Sequence, residues 1–168
     1  MSKVYGISAL YAPVRKERSR TVVCYGQQPE PDGIHATWHE VYFYHKRDGE
    51  LDMKAVKAAI TEDINQRVRE RITGGLTWNG KPVWLSEENQ MNWKADYDRA
   101  LQTEGATLPM KRKIGEQPDG TPVYHTFTSV NALIDFFGTW MDYKNQQLAD
   151  GWAEKDSIDW SVYEKYIE

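Results

Sequence analysis

The chain of 168 residues carries a formal net charge of −4 at pH 7 and contains 40% hydrophobic and 27% charged residues. Its length fits one ordinary domain, or a main domain with a small appendage, and its composition is globular rather than disordered. The acidic balance disfavours nucleic acid as a partner, because binding to a phosphate backbone needs a clustered positive surface.

Two further features of the composition narrow the class of protein. Cys24 is the only cysteine, which excludes an intramolecular disulfide framework and a cysteine-based zinc site. No segment reaches the roughly 18–20 apolar residues of a membrane span, and the N-terminal segment lacks the basic and apolar stretches of a secretory leader. We therefore expect no membrane partner, and we expect a product of the cytoplasm or of a particle assembled there.

The first third of the chain predicts three strands, at residues 4–7, 21–25 and 36–45. These segments are rich in β-branched and aromatic residues, which favour strands. The segments between them, at 12–20 and 27–33, carry prolines, basic residues and an Asp-Gly pair. We predict both as surface loops.

An amphipathic helix is predicted to begin near Asp52. Apolar residues recur there at every fourth position with Lys, Glu and Arg between them, which is the period of one helix face. These positions are Val56, Ile60, Ile64, Val68 and Ile72. The pair Gly74-Gly75 predicts the end of the helix, since glycine often follows a helix C-terminus.

Residues 76–92 predict a β-hairpin that runs directly into a second helix. Asn79-Gly80 lies between two short strand-like runs, and both central residues of a type I′ turn need a positive φ, which this pair adopts readily. Ser86 predicts the helix N-cap, because carboxylates follow it in the first turn. We expect this helix to reach about Gln102.

Several aromatic side chains of this region are predicted to lie in the core. Helical spacing places Trp93, Tyr97 and Leu101 on the inner face of the second helix. Trp78 and Trp84 lie on opposite arms of the hairpin, and we predict that they stack on its core-facing side.

A second hairpin and a third helix complete the pattern. Residues 108–114 and 123–127 are predicted strands around a turn at 117–120. Ser129 predicts the N-cap of a helix that ends near Gly151. The predicted inner face of this helix consists of Val130, Leu133, Ile134, Phe137, Trp140, Met141 and Leu148.

The sequence thus predicts an α+β fold, with a small antiparallel sheet or hairpins packed against about three helices and a β-rich N-terminal extension. A short helix is predicted after Ser157. We predict two domains, a β-rich N-terminal module at residues 1–49 that serves for docking and an α+β domain at residues 50–168.

No residue carries a recognisable signature of catalysis. His35, His39 and His45 share one face of the predicted third strand, but residues four and six positions apart on a strand lie about 13 and 20 Å apart, too far for one ion. Cys24 lacks a local motif and is predicted as a small buried side chain, and His125 is predicted as a structural histidine. We predict no catalytic, cofactor-binding or metal-binding residue, and no cofactor.

Two groups of residues are candidates for an interaction surface. Four cations within six residues form a local positive patch in an acidic chain, and exposed tryptophans can contact proteins or sugars. The alternatives are a solvated loop for the cations and core packing for the tryptophans. The candidate residues are Arg15, Lys16, Arg18, Arg20, Trp38, Trp152 and Trp160.

The segment at residues 74–90, Gly-Gly-Leu-Thr-Trp-Asn-Gly-Lys-Pro-Val-Trp-Leu-Ser-Glu-Glu-Asn-Gln, resembles a domain family common in tailed phages and prophages. Members of that family have an amphipathic helix, a short hairpin with an Asn-Gly or Asp-Gly turn, a capped helix, a second strand pair and a closing helix. Residues 124–131 resemble the family's strand-to-helix junction, and Trp152 with residues 155–159 resembles its terminal segment. The likeness covers residues 52–159.

The resemblance implies a gene located near tail, tail-fibre or baseplate genes, and it assigns no activity. We therefore expect a structural or interaction protein of a tailed phage or prophage, either a tail-fibre or baseplate-associated component or an assembly factor. The expected partners are other tail or virion proteins, with self-association as a further option. The expected location is the host cytoplasm during assembly and then the virion tail.

Two alternative functions stay open. The first is a module that binds glycans or another ligand through exposed tryptophans. The second is an enzyme of unknown type, although we expect no enzyme because no catalytic arrangement is visible in the sequence.

Overall fold

The computed structural model describes residues 2–44 and 51–167, so the predicted strand end at His45 lies outside the described residues. The described residues form an α+β fold, which confirms the predicted fold class. In chain order the elements are β1 (Ser2–Ile7), a 3₁₀ helix (Ser8–Leu10), β2 (Val14–Lys16), β3 (Arg20–Pro29), β4 (His35–Tyr44), α1 (Met53–Gly74), β5 (Leu76–Trp78), β6 (Lys81–Val83), α2 (Glu87–Gln102), β7 (Met110–Glu116), β8 (Pro122–Phe127), α3 (Val130–Asp156) and α4 (Ser161–Glu164).

The chain divides into two compact units. The first unit comprises Met1–Gln66 and Trp152–Glu168, and the second comprises Arg67–Gly151. The division falls inside α1 and inside α3. The predicted domain boundary between residues 49 and 50 stays a prediction.

Four antiparallel strands form the sheet of the first unit, in the order β1, β4, β3, β2. Three of them, β1, β3 and β4, confirm the predicted strands. Because side chains alternate between the faces of a strand, the two faces of the sheet bury different groups. The core cluster of one face consists of Val22, Cys24, Ala36 and Trp38. On the other face, Tyr25 donates a hydrogen bond from its hydroxyl to Asp63 of α1.

The two predicted loops of the first unit are partly wrong. The strand β2 lies within the predicted loop at residues 12–20, because Val14 is buried there and only three residues alternate, among cations that hide the pattern. The strand β3 continues to Pro29, past an irregularity at Gly26, which has a φ of +63°. A bulge of this kind interrupts the strand pattern without ending the pairing.

The helix α1 begins and runs as predicted. Its first turn is capped by Asp52, whose Oδ1 accepts a hydrogen bond from the Ala55 N–H at 2.6 Å. All five apolar positions that defined the predicted face are buried. The helix ends at Gly74, and the Gly75 N–H donates to the Arg71 carbonyl at 2.9 Å.

The C-terminal helix α4 belongs to the first unit and confirms the short helix predicted after Ser157. Its Tyr163 is buried, and the hydroxyl of Tyr163 donates to the Cys24 carbonyl at 2.9 Å. The Tyr11 hydroxyl donates to the same carbonyl at 3.3 Å. The two hydroxyls satisfy a buried carbonyl beside the bulge of β3.

In the second unit, the hairpin and the capped helix are confirmed. The turn residues Asn79 and Gly80 have φ values of 48° and 72°, and the strands β5 and β6 pair around them. The Ser86 hydroxyl accepts from the Asn89 N–H at 3.2 Å at the start of α2. The second hairpin, β7 and β8, and the Ser129 cap of α3 are also present.

The predicted stack of Trp78 and Trp84 is wrong. Cross-strand partners in this hairpin are Leu76 with Val83 and Trp78 with Lys81, so an even-numbered residue on β5 shares its face with an odd-numbered residue after the turn. Trp84 therefore points to the opposite face. Trp78 is 5% exposed, and Trp84 is 51% exposed.

The inner faces of α2 and α3 are only partly as predicted. Leu133 is buried as predicted, but Leu101 and Ile134 are exposed. Each of these two lies one position past a buried residue, and adjacent helical residues point about 100° apart. Ala100 and Phe136, which the prediction did not include, are buried. The helix α3 also continues past its predicted end at Gly151.

Gly151 serves a different purpose from the predicted helix stop. A Cβ at this position would lie 2.5 Å from the side chain of Val68. The glycine therefore allows α3 to approach α1 closely within the second unit, and it is a packing residue inside the helix rather than a cap.

Replacing Gly80 by alanine should destabilise the second unit by about 1 kcal/mol, because the φ of +72° strains any residue with a Cβ, while no atom within 4 Å would contact that Cβ. The matched control is Gly138→Ala. Gly138 lies inside α3, and a Cβ added there would also meet no atom within 4 Å, so this change should stabilise by about 0.5–1 kcal/mol. Thermal melts of both variants test the turn type. Equal shifts of the melting temperature in the same direction for both variants would contradict a turn that needs positive φ at Gly80.

Candidate interaction surface

A buried carboxylate, Glu40, organises the polar groups of the first sheet. It is 6% exposed on β4. It accepts hydrogen bonds from Arg15 Nη2 at 2.8 Å, Trp38 Nε1 at 3.0 Å and the Tyr42 hydroxyl at 2.8 Å. Burial alone would raise the pKa of Glu40, but the three donors outweigh burial and lower it. The carboxylate is therefore held in its charged form as a structural group.

Cys24 lies beside this carboxylate and confirms its prediction as a small buried side chain. It is a free thiol with no exposed surface, and Arg15 Nη1 lies 3.3 Å from its sulfur. Burial is the main cause that raises the pKa of Cys24 to about 12. Because the thiolate is the nucleophile, a thiol with this pKa is inert at neutral pH.

The four predicted surface cations fall into two pairs. Arg15 directs its guanidinium to Glu40, and Arg20 lies 2.6 Å from Glu17 and stacks over the Tyr42 ring at 4.5 Å. Lys16 and Arg18 are exposed at the end of the β2–β3 hairpin. Half of the predicted positive patch is therefore engaged within the first unit, and its role in binding stays a prediction.

The three candidate tryptophans lie in different environments. Trp38 is 4% exposed and belongs to the sheet core, where a Cβ at Gly6 would come within 2.6 Å of its ring. Its side chain is therefore unavailable on a surface, because β4 turns it inward. Trp160 is half-buried, with Lys57 Nζ 5.6 Å from its ring centre. Trp152 is exposed.

The two described histidines of β4, His35 and His39, contact different neighbours. His35 contacts Asp32 through Nδ1 at 2.6 Å and stacks on Tyr5 with ring centres 5.0 Å apart. His39 packs against Tyr25, with ring centres 5.4 Å apart, and His45 lies outside the described residues. Within residues 2–44 and 51–167, no group of three or more His, Cys, Asp or Glu side chains is arranged to hold a metal.

His125 of the second unit packs in an aromatic cluster, as a structural histidine does. Its ring lies 4.8 Å from Trp78 and 4.7 Å from Phe127, centre to centre. Lys81 Nζ lies 3.5 Å from its Nδ1. Burial, and then the charge of Lys81, lowers the pKa of His125, which favours the neutral ring at pH 7.

An open cleft of about 660 Å³ lies between β4 and α1 of the first unit. Its lining residues are Glu40, Val41, Tyr42, Tyr44, Ala59, Glu62, Asp63 and Gln66. Two of its carboxylates, those of Glu40 and Asp63, already accept hydrogen bonds from side chains of the sheet. Glu40 therefore joins strands of the sheet to one another, and Asp63 joins α1 to the sheet.

Within the described part of the chain, one edge of the strand β1 is unpaired. Among the described strands it pairs only with β4 and forms one border of the sheet. The other border strand, β2, is only three residues long. An open strand edge can pair with a strand of another chain, and proteins that leave one open usually use it or block it.

Apolar side chains cluster around this edge. Tyr5 and Ile7 lie on β1, Leu10 closes the 3₁₀ helix, and the Ile34 carbonyl accepts from the Ser8 N–H at 2.8 Å. Their exposed fractions are 61% for Tyr5, 46% for Ile7, 66% for Leu10 and 59% for Ile34. Neighbouring apolar residues with this exposure are typical of a contact surface. We call the free edge of β1 with these four side chains the β1 edge surface.

The predicted interaction surface does not include the β1 edge surface. The sequence contains only one sign of this surface, the alternating positions Lys3, Tyr5 and Ile7, which the structure shows to be exposed. The same alternation is compatible with a strand that buries Tyr5 and Ile7. Whether a strand lies at the border of a sheet depends on pairing between distant segments, which the local pattern does not contain.

No protein-family model, curated protein or solved structure matches this chain. None of the described helices is both long enough and apolar enough to span a membrane.

Replacing Glu40 by glutamine should destabilise the first unit by about 2 kcal/mol at pH 7, because Arg15 loses its buried charged partner. This value is smaller than for a fully buried ion pair, because Arg15 is partly exposed and solvent screens its charge. The folded pKa of Glu40 lies below the unfolded value of 4.5. Its contribution is therefore present above that pH and is lost as the pH falls through the folded pKa. Urea unfolding at pH 7 and pH 3 should show the difference between wild type and variant shrinking in acid.

The matched control for this change is Glu17→Gln, which alters an exposed carboxylate beside Arg20. It should change the unfolding free energy by no more than about 0.5 kcal/mol. Equal effects of the two variants would contradict the structural role of Glu40.

Proposed function

We propose that this protein is a structural or interaction protein of a tailed phage or prophage, a tail-fibre or baseplate-associated component or an assembly factor. The β1 edge surface serves as its docking surface for other tail or virion proteins. The protein acts in the host cytoplasm during assembly and stays in the virion tail. The family resemblance of residues 52–159 supports the phage assignment, and the exposed edge with its apolar side chains supports the docking role.

The observation that carries the docking role is the combination of hydrogen-bonding groups and apolar side chains at one place. A strand edge supplies directional main-chain bonds, and Tyr5, Ile7, Leu10 and Ile34 supply apolar area next to it. Strand addition uses both components, main-chain bonds for affinity and side-chain contacts for specificity. This combination favours recognition of another chain.

The chemistry of the reactive side chains also favours binding over catalysis. Glu40 accepts three hydrogen bonds from its own sheet, the thiol of Cys24 is buried and protonated, and the ring of His125 packs between aromatic side chains. A catalytic group needs access to substrate and a pKa near the working pH. These three groups stabilise the fold instead.

Mass spectrometry of purified virions and of tail assembly intermediates tests the phage assignment. We expect this chain in particles or in intermediates, while a replication enzyme of the same phage is depleted from both. A deletion of the gene should reduce fibre or baseplate assembly. Absence from particles and intermediates, together with normal assembly in the deletion strain, would overturn the proposal.

The docking role is tested by Leu10→Asp, with Met91→Asp as the matched control. Both residues are exposed apolar side chains, 66% and 67% exposed, but Met91 belongs to α2 of the second unit and is not part of the β1 edge surface. We expect Leu10→Asp to reduce co-purification with tail proteins at least tenfold, since a charge would be desolvated in the contact. Met91→Asp should leave co-purification unchanged, and equal losses would contradict the assignment of the surface.

A second candidate function is glycan binding through Trp152, whose exposed ring could stack on a sugar. Titration of the chain with a glycan panel should then quench tryptophan fluorescence. Trp152→Ala should abolish the quenching, and Trp84→Ala, which removes the other strongly exposed tryptophan, serves as the control. A silent panel would leave this function without support.

A further inference from the structure

The pairing of β1 with β4 determines which main-chain groups of β1 face outward. The register pairs Gly6 with Ala36 and Ile7 with His35, and it extends to Ser8, whose N–H donates to the Ile34 carbonyl at 2.8 Å. Hydrogen-bonded pairs alternate along an antiparallel ladder. Even-numbered residues of β1 therefore bond to β4, and the N–H and C=O groups of Lys3, Tyr5 and Ile7 point to the free edge.

We propose that the free edge of β1 takes the β1 strand of a second copy of this chain, antiparallel and with Tyr5 at the two-fold axis. The three residues with outward-facing groups are spaced symmetrically about Tyr5. Tyr5 then pairs with Tyr5 of the second copy, and Lys3 of each copy pairs with Ile7 of the other. Each of these three residue pairs exchanges two hydrogen bonds, and the two sheets become one sheet of eight strands.

The side chains of this pairing are compatible with one another. Lys3, Tyr5 and Ile7 are exposed on the same face of the strand. The two Tyr5 rings meet across the axis, each already stacked on its own His35. The aliphatic stem of each Lys3 lies along Ile7 of the other copy. Cross-strand pairs of aromatic residues and of apolar groups stabilise sheets in this way.

Charge complementarity favours a second copy in this orientation. The antiparallel arrangement separates the two Lys3 side chains by about 14 Å along the strands. It also brings Lys3 of each copy to the Ile7 end of the other, where Asp32 contacts His35, the β4 partner of Ile7. Asp32 accepts hydrogen bonds from the backbone of His35, from its ring and from the backbone of Ile34, which lower the pKa of Asp32 to about 2. The carboxylate is therefore charged at neutral pH, and it attracts Lys3 of the other copy while it keeps its hydrogen bonds to Ile34 and His35.

This inference deepens the proposed docking role, because it names the first occupant of the β1 edge surface. Leu10 and Ile34 lie beyond the ends of the paired strands, so a dimer presents them twice to other tail proteins. The dimer is measured on the purified chain alone, and the tail assignment is measured on virions. Failure of one is thereby distinguished from failure of the other.

Cysteine cross-linking tests both the contact and its register. Directly opposed residues in a hydrogen-bonded pair have Cα atoms about 5.5 Å apart, which suits a disulfide. Mild oxidation of the Tyr5→Cys variant should therefore convert most of the chain to a covalent dimer, and the buried thiol of Cys24 contributes no background. Lys3→Cys should cross-link no faster than Lys16→Cys, the control at the opposite border of the sheet. Equal rates for all three variants would overturn the proposal.

Proline and charge variants test the same contact without a cross-link. Because the Tyr5 N–H faces outward, Tyr5→Pro in both copies removes the two hydrogen bonds of the Tyr5 pair and none of the bonds to β4. Light scattering should show a concentration-dependent dimer for the wild type and at least a tenfold weaker dimer for Tyr5→Pro, with its folding checked by thermal melting. Lys3→Glu should weaken the dimer several-fold, whereas Lys16→Glu, the same charge change on β2, should not.

Two results would overturn the self-pairing. One is a wild-type chain that stays monomeric up to about 1 mM, the weak end of measurable association. The other is a dimer that Tyr5→Pro leaves unchanged. The wild-type chain could be monomeric while the Tyr5→Pro variant is missing from virions. That pair of results would assign the edge to a different tail protein. It would refute the self-pairing and leave the proposed function standing.

Discussion

The arrangement of the first sheet depends on the buried carboxylate of Glu40. An unpaired charge at this depth would cost several kcal/mol, so β2 must deliver Arg15, and β4 must present Trp38 and Tyr42, within hydrogen-bond distance of one group. This requirement fixes the position of β2 relative to β4 on that side of the sheet. No comparable group among the described residues extends to β1, which is tied to the sheet by its ladder with β4 and keeps its other edge open.

The features predictable from the sequence are those that neighbouring residues determine. The turn at Asn79-Gly80 follows from which residues tolerate positive φ, and the caps at Ser86 and Ser129 follow from hydroxyls placed before helical patterns. The helix α1 follows from apolar residues at every fourth position, and the packing of the folded chain keeps the helix that this pattern predicts. These features required no knowledge of distant partners, and the structure confirms each of them.

The features that the sequence did not predict depend on distant partners. The strand β2 is three residues long and gains its place from Glu40, which is 25 positions away from Arg15. The outward direction of Trp84 depends on the register of the two strands around a two-residue turn. In this register an even-numbered residue of β5 shares its face with an odd-numbered residue after the turn, so the shared even numbers of Trp78 and Trp84 predict the wrong face. The open border at β1 depends on the order of all four strands. A local pattern cannot contain any of these three facts.

The pairing of β1 with itself is specific because other arrangements of the same edge are worse. A parallel arrangement would shift the two strands by one residue, so that the Tyr5 side chains of the two copies would lie on opposite faces of the joined sheet and could not meet. An antiparallel arrangement shifted by two residues would leave one of the three outward-facing residues without a partner and would move Tyr5 away from Tyr5. Only the arrangement centred on Tyr5 uses every outward-facing group between Lys3 and Ile7 and brings each lysine toward the Asp32 end of the other copy. Lys3 therefore acts in two ways, because its charge discourages indiscriminate strand addition and selects the one register in which that charge finds an acidic neighbour.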